Sequence, residues 1–325
     1  MLLDIGTTRL FVDDRGPKTA PTVVYVHGGP GHGSYEFMTY QGELLSRHLR
    51  IIALDQRGVL RSDPLDTTGT LSEHDLVDDL EAVRRTLAID TWTVVGQSHG
   101  GRIALRYALA HPETVTGVVF ENPGWDLVSA MACLRRAAIP VLRELGHHAE
   151  AERAEARLRP GAAVDGPRPS ADPARGLHDP DLPDALPRLP ADRADWLEFV
   201  RTLGLLGDRR NEIYVHQAAA AARMAACLDS APFTRDTWTR AGTHFDQISA
   251  HPSLYESLVP LLGELTHPAL LIKGRHDNVT APADVAAFRA SVPHGRTEMF
   301  DDSGHFAHLE EPDRYADTLT SFIRR

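Results

Sequence analysis

Residues 91–102 read Thr-Trp-Thr-Val-Val-Gly-Gln-Ser-His-Gly-Gly-Arg, and the order of residue types in this stretch decides the fold. Residues 91–95 are a compact run of β-branched and aromatic side chains, the composition of a strand. Residues 102–110 have the spacing of a helix. Between them lies Gly96-Gln97-Ser98-His99-Gly100, a Gly-x-Ser-x-Gly turn. A serine at the centre of a strand–turn–helix is held in a strained backbone conformation with its hydroxyl projecting above the strand end, and glycines on either side supply the room.

Outward from this turn the same grammar repeats. Residues 22–26, 50–54, 117–120 and 269–272 are short apolar runs, and 297–300 is a further short run. Continuous Val/Ile/Leu runs mark strands buried on both faces, which is how parallel strands read. Leu10-Phe11-Val12 followed by Asp13-Asp14-Arg15-Gly16-Pro17 reads as strand then turn. Leu76, Leu80, Val83 and Leu87 recur at helical spacing over residues 71–87, with Ser72 as N-cap and acidic residues in the first turns. Residues 315–323 read as a closing helix. Strands alternating with helices predict an α/β fold, a mostly parallel sheet flanked by helices.

The alternation stops at about residue 123 and resumes at about 266. The intervening residues 124–265 are rich in Ala, Arg and Leu, read as helices, and show no strand alternation. The expected organisation is a core from residues 1–123 and 266–325 with a helical cap inserted at 124–265. Residues 160–190 hold eight prolines, a density that blocks helices and ladders and predicts a long loop or lid within the cap.

Composition bounds the function classes. The chain has 325 residues, 42% apolar and 24% charged, with a formal charge of −11. No basic stripe exists to bind nucleic acid. No stretch approaches the ~18 apolar residues of a membrane span, and the N-terminus lacks a secretory pattern, so a cytoplasmic protein is expected. Two cysteines without Cys-x-x-Cys, and 17 histidines without His-Glu-x-x-His or His-x-His, argue against a disulfide framework, a metal site or a zinc mechanism. No cofactor is implied, and composition leaves the oligomeric state open.

Ser98 as a nucleophile requires a base, an acid to orient it, and donors for the oxyanion. In an open sheet these come from loops at strand C-termini. Asp277 follows the 269–272 run in Gly274-Arg275-His276-Asp277, and His305 follows the last run in Ser303-Gly304-His305. The order Ser98, Asp277, His305 makes Asp277 the orienting acid and His305 the base. Glu121, after the 117–120 run, is the alternative acid, and His308 the alternative base. Asp301 and Asp302 are too near His305 in sequence to orient it, and His276 reads as a loop residue. The glycine-rich turn His27-Gly28-Gly29-Pro30-Gly31 follows another strand. Backbone N–H groups of Gly29 and of His99 are the expected oxyanion donors, Gly28 is a candidate substrate contact, and His27 reads as structural.

Taken together, His27-Gly28-Gly29-Pro30-Gly31, Asp55-Gln56-Arg57-Gly58-Val59-Leu60-Arg61-Ser62, the Ser98 turn, Gly274-Arg275-His276-Asp277 and Ser303-Gly304-His305 resemble the proline iminopeptidase family of α/β-hydrolases. The resemblance covers the core at 1–123 and 266–325. It implies an α/β-hydrolase fold and a serine hydrolase releasing an N-terminal residue from a small peptide. It also implies acidic cap residues that recognise the free amine, for which Glu198, Asp208 and Glu212 are candidates. Leu60 stands where the family pattern has a second glycine, and His99 where tryptophan is common. Ser98 rather than aspartate argues against epoxide hydrolase and haloalkane dehalogenase activity. The same motifs occur in relatives acting on small-molecule esters, lactones or amides, and a non-catalytic binding protein on this fold is a third reading.

Overall fold

The computed structural model describes residues 1–159 and 192–324; the proline-rich loop expected at 160–190 lies outside the described residues. Eight strands form one sheet: β1 (Leu2–Asp4), β2 (Arg9–Arg15), β3 (Thr22–Val26), β4 (Arg50–Leu54), β5 (Trp92–Gln97), β6 (Val115–Glu121), β7 (Ala269–Gly274) and β8 (Gly295–Phe300). Their order is β1-β2-β4-β3-β5-β6-β7-β8. β1 and β2 pair antiparallel, β2 runs antiparallel to β4, and every later pair is parallel. The short edge strand β1 has no sequence signal of its own; it exists because Leu2 and Leu3 pair with Phe11 and Leu10.

Strand register explains the two cores. Ile52, Val24, Val94, Val118 and Ala269 lie in one row across β4, β3, β5, β6 and β7, and all point into the core on one face. The next row, Ala53, Tyr25, Val95, Val119 and Leu270, feeds the core on the other face. Alternate side chains of a strand face opposite ways, so a sheet covered on both sides needs apolar residues at every position. β4 and β5 are buried throughout.

The helices are α1 (Tyr35–Tyr40), α2 (Gly42–Ser46), α3 (Glu73–Thr86), α4 (His99–Ala110), α5 (Leu127–Glu144), α6 (His148–Arg157), α7 (Arg193–Gly204), α8 (Ala218–Asp229), α9 (Arg235–Ala250), α10 (Pro282–Ser291), α11 (Ala307–Glu310) and α12 (Pro312–Ile323). α3, α4 and α10 cover the first face through Leu76, Leu80, Ile103, Ala104 and Phe288. α1, α2 and α12 cover the second through Phe37, Leu45, Tyr315 and Leu319. Ser72 caps α3 in a full capping box with Asp75, satisfying two otherwise orphaned N–H groups. Helices α5–α9 are inserted between β6 and β7 as a cap. Asp126, Asp192 and Thr234 N-cap α5, α7 and α9. No described helix is long and apolar enough to cross a membrane.

The cap is tied to the core at several places. α9 lies over the glycine turn: a Cβ on Gly31 would come 3.2 Å from the Ala241 carbonyl oxygen. The His244 ring on α9 bonds the Arg57 carbonyl at 2.8 Å. Arg102 on α4 donates to the carbonyls of Trp125 and Ser253 at 2.8 Å each.

Close packing at the β5–α4 turn gives a test. A Cβ on Gly100 would lie 2.1 Å from the Val26 carbonyl oxygen, whereas Gly204 has open space around it. Gly100→Ala is expected to cost about 2–4 kcal/mol, and Gly204→Ala to be neutral or slightly stabilising. Urea midpoints with unchanged slopes measure both; a tolerated Gly100→Ala would contradict the packing.

Candidate active site

Ser98 joins β5 to α4 at φ 53° and ψ −119°, a region that side chains other than glycine rarely adopt. The turn is enforced from all sides. A Cβ on Gly96 would meet the Gly100 carbonyl oxygen at 2.3 Å, and one on Gly101 would meet Pro123 at 2.7 Å. The Ser98 N–H donates to the Glu121 carbonyl at 3.0 Å, and its own carbonyl accepts from Gly101 and Gly124. These bonds fix the serine backbone between β6 and the start of the cap. The hydroxyl stands near the N-terminus of α4, where unpaired N–H groups favour negative charge.

Asp277 and His305 come from the loops after β7 and β8. His305 Nδ1 is 2.8 Å from Asp277 Oδ1. The second carboxylate oxygen, Oδ2, accepts from Lys273 Nζ at 2.9 Å and from the Thr280 N–H at 3.0 Å; Oδ1 also accepts from the Val279 N–H. Burial alone would raise this carboxyl, but Lys273 and His305 outweigh it and hold Asp277 well below the usual carboxylate range. A carboxylate there makes Nδ1 the donating nitrogen of His305 and leaves Nε2 as the basic one. Asn122, at φ 42°, clamps the two loops: its Oδ1 accepts the Gly274 N–H, and its Nδ2 donates to the carbonyls of Gly304 and His305.

Ser98 and His305 line one cavity of about 530 Å³. The cap contributes Trp196, Val200, Leu203, Arg210, Asn211, Tyr214, Met224, Leu228 and Phe245 to its wall. A smaller apolar space of about 80 Å³, lined by Leu127, Met131, Leu134 and Val279 among others, lies beside it. Both spaces have Gly29, Pro30, Ser98, Trp196 and Tyr214 as walls, so they meet at the serine.

Gly29 and His99 both border the smaller space beside Ser98. His99 is the first residue of α4, so its N–H has no partner within the helix. The His99 side chain turns away, to Glu73 at 3.1 Å. Gly28 is buried against the serine rather than lining the described cavity: a Cβ there would lie 2.7 Å from the Ser98 Cβ. His27 Nδ1 bonds the Gly28 carbonyl, and its Nε2 accepts the Gln56 N–H at 3.1 Å. Burial pushes His27 down to about 4, so it is a neutral brace for the glycine turn. Asp55 is fully buried and paired with Arg61 at 2.6 Å, while Leu60 takes φ 41° in place of the expected glycine.

The chain matches the pattern of the α/β hydrolase fold over residues 21–141 and 184–312. It belongs to that family. The proline iminopeptidase of Neisseria gonorrhoeae is 37% identical over 114 residues, 35% of this chain and 36% of that protein. The match therefore spans about a third of that relative's length. A proline iminopeptidase-related protein from Thermus thermophilus superposes with a TM-score of 0.71 at 18% identity, covering 100% of this chain and 96% of the other. The enol-lactonase from Burkholderia xenovorans LB400 superposes at 0.62 with 19% identity, covering 100% of each. At those identities the two structures share the hydrolase fold with this chain.

Within this fold the candidate cap acids go elsewhere. Glu198 Oε2 is 3.1 Å from Arg135, and Glu212 is gripped by Arg209 at 2.6 and 2.7 Å. Asp208 is exposed on the short 3₁₀-helix Gly207–Ile213. None of the three lines the described cavity, and among its described lining residues none is acidic. The alternative acid and base meet each other instead of Ser98: His308 Nδ1 is 2.8 Å from Glu121 Oε1, and its Nε2 is 2.9 Å from Glu36 Oε2. Asp301 pairs with Arg275. His276 stacks on His216 with ring centroids 3.5 Å apart. Lys273, Asn122 and Arg210 had no sequence signal, because each acts on partners distant along the chain or on a cavity wall.

Burial lowers an imidazolium's pKa, but Glu121 and Glu36 outweigh it and push His308 up to about 10. Its unfolded value is about 6.5. A raised folded value means the contribution to stability is full below about pH 6.5 and is lost as pH rises toward 10. The Tm of the protein is expected to fall by more than about 5 °C across that window, with a shallower fall in His308→Gln. Equal slopes for the two proteins would contradict a buried imidazolium.

Proposed function

We propose that this α/β-hydrolase family member is a serine hydrolase that cleaves a carboxylic ester or amide through an acyl-enzyme on Ser98. The observation that carries the reading is the left-handed Ser98 turn opening on a cavity shared with His305, whose Nδ1 is 2.8 Å from Asp277.

In this reading His305 Nε2 takes the Ser98 proton as the hydroxyl attacks the substrate carbonyl. The resulting oxyanion is held by the N–H groups of Gly29 and His99, a pair whose members are each worth roughly 10²–10³ in rate. His305 then gives its proton to the leaving alcohol or amine, and the acyl group remains on Ser98. Water, deprotonated by His305, attacks the acyl-enzyme and restores the serine. Asp277 stays ionised and keeps the imidazole in the tautomer that leaves Nε2 basic.

The cavity favours a small-molecule ester or lactone. Its wall is largely apolar, and its volume of about 530 Å³ suits a small ligand. A substrate with a free α-ammonium group needs a carboxylate nearby, and Glu198 and Glu212 are engaged with Arg135 and Arg209. A second reading, release of an N-terminal residue from a peptide, is supported by the 37% identity to a proline iminopeptidase.

Initial rates on p-nitrophenyl acetate and proline p-nitroanilide, with Ser98→Ala beside wild type, test the proposal. The expected outcome is faster cleavage of the ester and a loss of at least about 10³-fold in Ser98→Ala. Faster cleavage of the anilide would favour the peptidase reading. Equal rates in Ser98→Ala would overturn the acyl-enzyme altogether and revive a non-catalytic binding role.

A further inference from the structure

Arg210 is the one Lys or Arg side chain among the described residues lining the larger space at Ser98; Arg102, which borders the smaller one, is held by Glu73. It follows Arg209 directly on the 3₁₀-helix Gly207–Ile213, and the two arginines are treated differently. Arg209 is neutralised by two carboxylates, Glu212 at 2.6 Å and Glu144 at 2.8 Å. Arg210 has no carboxylate within 4 Å among the described residues; its guanidinium carbon lies 6.0 Å from the centroid of the Tyr214 ring. Nearby acids are thus taken up by Arg209, and Arg210, an exposed residue that also lines the cavity, keeps its charge there. Asn211 stands beside it on the same wall and adds an amide.

A guanidinium that contacts the Tyr214 side chain but no described carboxylate attracts a planar anion and repels a cation. Guanidinium and carboxylate match as forks, two N–H donors to two oxygens. The chain carries a net charge of −11, so a cationic patch in the cavity does not follow from the general surface charge. From this we infer that the substrate carries a carboxylate away from its scissile carbonyl, bound by Arg210 with Asn211 beside it, and that Arg210 sets specificity for acidic esters. The inference rests on the hydrolase reading of Ser98. It narrows the substrate class to anionic small molecules, and an N-terminal ammonium would meet the wrong charge.

The test uses two matched pairs of aryl esters, because the carboxylate could sit on either side of the scissile bond. One pair is p-nitrophenyl adipate monoanion and p-nitrophenyl hexanoate. The other is 4-carboxyphenyl butyrate and its methyl ester. The readout is the ratio of kcat/KM for the charged and neutral members, so a general loss of folded protein cancels. Wild type is expected to prefer the charged member of at least one pair by about tenfold or more. Arg210→Met is expected to bring that ratio to near one, chiefly through KM, and Arg210→Lys to retain part of it. No preference in wild type, or a preference that survives Arg210→Met, overturns the inference while leaving Ser98 chemistry intact. Cleavage that persists in Ser98→Ala overturns the hydrolase reading instead. Should no ester turn over, calorimetric binding of the same four esters to Ser98→Ala decides: binding of a charged member that Arg210→Met abolishes supports the inference, and its absence refutes it.

Discussion

Everything around the cavity depends on one backbone conformation, that of Ser98 at φ 53° and ψ −119°. A residue with a side chain in such a region costs about 1–3 kcal/mol and persists only where its surroundings leave no alternative. Here α4 approaches β5 and β3 so closely that a Cβ on Gly96 would collide with the Gly100 backbone and one on Gly100 with that of Val26. Val94, Val95, Ile103 and Ala104 on the flanking elements are fully buried. Their burial contributes several times the strain, at about 1.5–3 kcal/mol for each larger apolar side chain. The turn is therefore stable because the strand and helix are deeply embedded, and the half-buried serine borders the cavity because the turn is sharp.

Around this turn, buried charges are grouped in separate closed sets. Glu73 serves His99, Arg102 and Arg106. Asp55 serves Arg61 and the Ser34 N–H. Glu36 and Glu121 hold His308, and Lys273 and His305 hold Asp277. Buried ion pairs are a weak source of stability, since desolvation offsets the attraction. Their contribution is geometric: removing one partner strands a charge, so each set locks the loops that supply its members. Glu73 joins α3 to α4, Glu36 and Glu121 join α1 and β6 to α11, and Asp277 joins the loops after β7 and β8. Because the sets share no member, His305 pairs with Asp277 alone among the described carboxylates.

How much of this was readable in the sequence follows from the range of each interaction. Strands β3 to β7 announce themselves because a doubly covered strand must be apolar at successive positions, and the Ser98 turn because its glycines are adjacent in the chain. α4 begins at His99, earlier than the periodicity from residue 102 suggests, since the glycines of its first turn carry no apolar pattern. Leu60 shows a limit of residue-type reasoning: it adopts φ 41° without being glycine, held by the Asp55–Arg61 pair and by packing against Gly33. Lys273, Asn122 and Glu310 are ordinary polar residues until the fold brings their partners to them. Glu198 and Glu212 failed to reach the described cavity for a local reason: arginines stand within reach on their own or adjacent helical segments, and a near partner wins over a distant pocket.

The cap is not a separate cover laid on a finished site. The His305 N–H donates to the Tyr214 carbonyl at 2.6 Å, and a Cβ on Gly304 would lie 2.5 Å from that same oxygen. Glu310 Oε1 accepts the Gly304 N–H, while its Oε2 accepts those of His216 and Gln217. The loop that carries His305 and the cap segment 214–217 are therefore one hydrogen-bonded unit. Tyr214 also forms a wall of both spaces beside Ser98, with the Arg210 guanidinium over its ring. A shift of this segment would release the His305 backbone, so the segment is constrained in position but not in the side chains it shows to the cavity. At wall positions such as 210 and 211 a side chain can change while the Tyr214 carbonyl that anchors the His305 backbone stays where it is.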